Sequence, residues 1–137
     1  MEYFLFRLYG SEEKRPLDAL RIVTYLHEKF PNNPYFHRSL ARYLYTTGKW
    51  TEAMRESFVI LDRIEKRQVG YEANSGRYAA FFLGEYFYRV GNLPEAKNYF
   101  SKTLSFGEES ESQESGYYLY ALISLGKIAT KEKNKSQ

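Results

Sequence analysis

The chain has 137 residues, of which 43% are hydrophobic and 27% charged. That is enough apolar material for one folded core and too much for a disordered chain. The net charge of +3 is too small to point to nucleic acid, and without cysteine there is no disulfide, thiolate metal site or cysteine nucleophile. No apolar run approaches the ~20 residues of a membrane span, and the opening Met1 to Gly10 does not read as a signal peptide. A soluble chain is expected, with the choice between cytoplasm and periplasm left open.

Pro16 opens a first helix with an apolar stripe of Leu17, Leu20, Val23, Leu26 and Phe30, which Pro31 and Pro34 stop. A second helix runs from Tyr35 to Thr47 and ends at Gly48. Thr51 is expected to cap a third, which carries Met54, Phe58, Ile60 and Leu61 towards Arg67. Gln68 to Gly76 reads as a linker because it holds two glycines. A helix from Arg77 to Val90 follows, closed by Gly91. Asn92 caps the next, with Pro94 in its first turn, and Gly107 ends it after Phe106. Glu108 to Ser115 reads as an acidic loop or helix lead-in. A last helix spans Gly116 to Glu132, and Lys133 to Gln137 reads as a frayed end. No segment alternates like a strand. The expected class is all-α, with six or seven helices.

Two stretches repeat one skeleton. Leu83-Gly84, Phe87, Gly91, Ala96 and Phe100 correspond to Leu40-Ala41, Leu44, Gly48, Ala53 and Ser57, with Trp50 after the turn in the earlier copy. Ala19 and Pro31 fit the second half of a preceding copy, and Leu125-Gly126 fits the start of a following one. This pattern resembles the tetratricopeptide repeat family. The resemblance implies a right-handed superhelix of stacked antiparallel helix pairs. It divides the chain into a partial repeat (1–33), a repeat (34–67), a linker (68–76), a repeat (77–110) and a partial repeat (111–137). Gly91 follows Gly48 by 43 positions, against the family's period of ~34, so the groove is expected to differ in shape from that of regular members.

The resemblance further implies that the first helix of each pair lines a concave groove. Its stripe is Tyr35, Arg38, Arg42 and Tyr45 in one copy and Tyr78, Phe81, Glu85 and Tyr88 in the next, with Arg89 at the edge. In the last helix it is Tyr120, Ile123, Lys127 and Lys131. Tyrosine supplies contact area and a hydroxyl, and arginine grips carboxylates. Some family members clamp a peptide carboxylate on these faces. Arg38 and Arg42 partly resemble that clamp, but its asparagines are missing.

Other candidates are weaker. His27 and His37 fall on different helices with no acidic pair at metal spacing, and read as solvated or interface residues. Glu108, Glu109, Glu111 and Glu114 read as a solvated run. No phosphate loop, catalytic triad or zinc spacing is present. The last helix carries an apolar face of Leu122, Leu125, Ile128 and Ala129. Either it packs on the preceding repeat or the chain is cut from a longer array, and the second reading is expected, with homodimers through that face. The function expected is a scaffold that binds a peptide or protein segment, an acidic one by charge. No enzyme activity, cofactor, metal or membrane insertion is expected. The alternative is a structural spacer or oligomerisation module with no groove ligand.

Overall fold

The computed structural model describes residues 15–136. Six helices account for most of them, and no strand occurs among the described residues: α1 (Pro16–Lys29), α2 (Pro34–Thr46), α3 (Trp50–Glu65), α4 (Ala73–Arg89), α5 (Leu93–Glu109) and α6 (Gly116–Ser136). The all-α expectation holds. Residues 1–14, nearly half of the first partial repeat, and Gln137 lie outside the described residues.

The turns explain where the helices stop. After α2, Gly48 donates to the Tyr45 carbonyl at 3.1 Å and Lys49 to the Leu44 carbonyl at 2.8 Å. After α4, Gly91 and Asn92 make the same pair of bonds to Tyr88 and Phe87. Both glycines have φ of 83°, the left-handed conformation that closes a helix by satisfying its last carbonyls. Arg67 and Glu111 take the same role after α3 and α5, at φ 58° and 56°, with side chains that disfavour it. Asn33 and Asn92 cap the starts of α2 and α5, accepting from the backbone N–H of Phe36 and Glu95.

Several boundaries differ from the sequence reading. Thr51 does not cap α3, which begins at Trp50 after Lys49, with no side-chain cap bond. The Lys49 carbonyl already accepts from Ala53, so the three-residue turn leaves Thr51 inside the helix. The linker is shorter than Gln68 to Gly76, because α4 starts at Ala73. Gly76 is a helix residue, and a Cβ there would lie 2.8 Å from the Phe106 ring. Gly107 likewise sits inside α5, where a Cβ would lie 2.8 Å from Tyr118. Both glycines permit close helix approach and break nothing. α6 continues past Glu132 to Ser136. In α1 the buried stripe is Ala19, Leu20, Val23 and Leu26, whereas Leu17 and Phe30 are exposed. They flank the face that α2 covers.

The helices form two rows. α2 touches α4 and α4 touches α6, while α1, α3 and α5 each pack on the neighbours that precede or follow them in the chain. α3 and α5 have no close backbone approach and meet through side chains, as where Phe58 sets its edge on Tyr99. One core cluster joins α1 to α3 around Leu26, Phe36, Leu40 and Leu44. A second joins α3 to α6 around Ile60, Phe82, Phe100 and Ile128. Each fully buried large side chain contributes ~1.5–3 kcal/mol. The short turns and this packing put α2, α4 and α6 side by side in parallel, which brings their polar faces onto one side.

Candidate functional site: a basic and aromatic face on α2, α4 and α6

Contacts between α2 and α4 follow a constant register, each joining residues 40 positions apart. Arg38 of α2 sits over the Tyr78 ring of α4 at 5.5 Å, and over Tyr35 at 5.0 Å. About two turns further on, the Tyr45 hydroxyl donates to Glu85 Oε2 at 3.1 Å. Burial pushes the Tyr45 hydroxyl pKa up, so it stays a donor at neutral pH. From α4 to α6, Tyr78 sets its edge on Tyr117 at 5.0 Å, and the Lys131 ammonium lies 4.6 Å from the Tyr88 ring. Arg89, exposed at the end of α4, covers the Trp50 ring at 4.0 Å.

The helix starts of α4 and α6, with Arg42 of α2, line an open cleft of about 310 Å³ whose walls are Arg42, Arg77, Tyr78, Ser115, Tyr117 and Tyr120, with Gly116 at its edge. Arg77 is held in place: its Nε donates to Asn74 at 2.9 Å, and its Nη2 donates to the Tyr78 hydroxyl at 3.3 Å. Arg42 lies over Tyr43 at 5.4 Å. Ser115 accepts from the Tyr118 backbone N–H and caps α6. Burial pushes the Tyr117 hydroxyl up to about 12, against the pull of Arg42 and Arg77. Both guanidinium groups thus act on one point. None of Arg38, Arg42, Arg77 and Arg89 pairs with a carboxylate among the described residues.

The predicted stripe therefore divides. Tyr35, Arg38, Arg42, Tyr45, Tyr78, Glu85 and Tyr88 are half-buried on the shared face. Phe81 is not a groove residue: it is 5% exposed and packs on Phe100 and Tyr117 in the core. Tyr120 is 59% exposed at the cavity rim, and Ile123, Lys127 and Lys131 lie exposed along α6. Arg77, Tyr117 and Trp50 belong to this surface and were not in the stripe. Arg77 lies one position before Tyr78, and Tyr117 three before Tyr120, which is the only signal the sequence offers.

The two histidines meet, although they fall on separate helices. The rings of His27 (α1) and His37 (α2) stack with centroids 4.4 Å apart, and Glu56 of α3 binds His37 Nε2 at 2.8 Å. His37 is fully buried. The missing acidic partner comes from a third helix, which spacing within one segment cannot reveal.

No protein-family model matches the chain, and no curated protein sequence matches it. The chemistry of the site is thus read from its residues. Two guanidinium groups, Arg77 held by hydrogen bonds and Arg42 lying over a ring, stand beside tyrosine walls, and such groups are donors suited to an anion.

Proposed function

We propose that this chain is a tetratricopeptide-like scaffold, a right-handed superhelix of antiparallel helix pairs that binds an acidic peptide or protein segment along α2, α4 and α6. One observation carries this reading: two arginines with no carboxylate partner among the described residues, Arg42 and Arg77, line one aromatic cavity. An Asp, Glu or terminal carboxylate of the partner would seat there, and the rings of Tyr78, Tyr117 and Tyr120 would cover its neighbours. The recurrence of Leu40-Ala41 and Leu83-Gly84, each followed by the same glycine-closed turn, supports the repeat. A peptide array probed with the labelled chain tests it. Acidic peptides are expected to bind over their amide and lysine counterparts, and Arg42→Ala with Arg77→Ala is expected to remove that preference. Equal binding of acidic and basic peptides would overturn the reading.

The exposed side of α6 supports a second reading, assembly. Leu119, Tyr120, Leu122 and Ile123 are all exposed there, and a Cβ on Gly126 would meet nothing within 4 Å. Leu125-Gly126 repeats Leu83-Gly84, whose glycine receives Phe100 of the next helix. A second copy packing on this face would make a homodimer. The expected apolar face of Leu122, Leu125, Ile128 and Ala129 shifts accordingly, because Ile128 is fully buried on α5 and α4.

A further inference from the structure

The buried polar cluster between α1, α2 and α3 has an internal logic that fixes its hydrogen bonds. Arg63 Nη1 donates to the Tyr71 hydroxyl at 2.7 Å and to the Pro31 carbonyl at 2.8 Å. Arginine has no acceptor, so the Tyr71 oxygen accepts and its O–H is directed at the remaining partner, His37 Nδ1, at 2.9 Å. With Nδ1 accepting, the His37 proton lies on Nε2 and is donated to Glu56 Oε1 at 2.8 Å. The chain from Arg63 through Tyr71 and His37 thus ends by orienting the Glu56 carboxylate.

His27 stands outside this chain. Its Nδ1 is buried with no hydrogen-bond partner among the described residues, a position that ordinarily calls for a ligand or a bound group. Ligand atoms of His27, His37 and Glu56 lie within 4.8 Å of one another. A cavity of about 300 Å³ leads to His27 and Glu56 from the surface, and Glu28, Glu52 and Arg55 also line it. Three carboxylates against one guanidinium make this entrance favourable to cations. Glu52 is one helical turn before Glu56, and Glu28 adjoins His27 in the chain.

We propose that His27 and Glu56 bind a divalent transition-metal ion of the zinc class, with His37 as the outer group that orients Glu56 and Glu52 or Glu28 completing the ligand set. The mixture of imidazole and carboxylate donors selects zinc, cobalt or nickel over magnesium and calcium, which prefer oxygen alone. Carboxylates that ligate metals are themselves held by outer hydrogen bonds, the part His37 plays for Glu56. Zinc draws its donors to ~2.0–2.2 Å, and rotation of the partly exposed Glu56 side chain about its hydrogen bond to His37 would supply the movement. The Arg63 charge is engaged at the opposite edge of the His37 ring. This site is separate from the basic face and does not depend on the function proposed for it.

The test is titration of the whole chain with cobalt(II) as an optical probe and zinc chloride by calorimetry, with magnesium as comparator. One cobalt ion per chain with a visible ligand-field band is expected, with displacement by zinc and no uptake of magnesium. His27→Gln and Glu56→Gln are each expected to weaken zinc binding by roughly tenfold or more. Glu56→Gln keeps an acceptor for His37, so circular dichroism is expected to show an intact fold. Absence of uptake by the wild-type chain, or equal affinity in both folded variants, would overturn the site.

Discussion

Gly84 of α4 lies directly beneath the Phe100 ring of α5, so that a Cβ on it would stand 2.7 Å from the ring. Phe100 is fully buried and cannot withdraw. Gly84→Ala is therefore expected to destabilise the chain by ~1–3 kcal/mol through overpacking, despite the higher helix propensity of alanine. Urea denaturation of the single variants and of Gly84→Ala with Phe100→Leu checks this. The smaller residue at 100 is expected to recover part of the loss, as a non-additive pair.

Arg67 offers the opposite case. It holds the left-handed position after α3 at φ 58°, where the turns after α2 and α4 use glycine. Arg67→Gly is expected to raise stability by ~1 kcal/mol, less the entropy that glycine adds to the unfolded chain. A higher urea midpoint with unchanged slope would bear this out. A lower midpoint would show that the Arg67 side chain contributes more than its backbone costs.

The histidine cluster sets a direction for pH. Burial, then the nearby His37, lower the His27 pKa from 6.5. Below that value the unfolded chain binds a proton that the folded chain resists, so stability falls as pH drops through 6.5 towards the folded value. The His37 hydrogen bond lowers the Glu56 pKa from 4.5, so its contribution is present above 4.5 and is lost in the more acid range below. Two successive losses are expected in denaturation midpoints between pH 8 and 3. His27→Gln is expected to flatten the first and leave the second.

On the basic face, Arg42→Ala and Arg77→Ala are each expected to cost ~1.5–3 kcal/mol of binding to an acidic peptide, the worth of a charge-assisted hydrogen bond. Fluorescence anisotropy at low and high salt checks this. The wild-type affinity is expected to fall with salt and the double variant to respond weakly. Lys127→Ala, in an exposed position, is expected to change little.

Leu122, 46% exposed on α6, tests assembly. Leu122→Asp is expected to abolish any concentration-dependent dimer in sedimentation velocity without lowering stability, because it faces outward. Monomeric behaviour of the wild-type chain at all concentrations would remove the assembly reading and leave the groove reading in place.

The ends of α2 and α4 were legible in the sequence because each carries its own stop signal, whereas α3 and α5 end at Arg67 and Glu111 without one. Gly48 and Gly91 mark left-handed turns, and Asn92-Leu93-Pro94 marks a helix start, all effects confined to a few neighbouring residues. The helix interiors were legible in part: spacing of three put Leu20, Val23 and Leu26 on the buried face of α1, but also Leu17 and Phe30, which are exposed, and it left out Ala19. Gly76 and Gly107 misled the reading of boundaries for a physical reason. A glycine that admits a neighbouring ring is indistinguishable in sequence from one that breaks a helix, until Phe106 and Tyr118 are placed against it.

The sequence by itself determined an all-α chain with tyrosines and arginines recurring on alternate helices, because propensity, capping and periodicity are local. Only the tertiary structure decided which of those side chains meet. Phe81 went to the core, Arg42 and Arg77 came to one cavity from separate helices, and His27, His37 and Glu56 converged from three. Such convergence depends on helix register and approach distance, which are set by long-range packing and leave no mark in the spacing of residues.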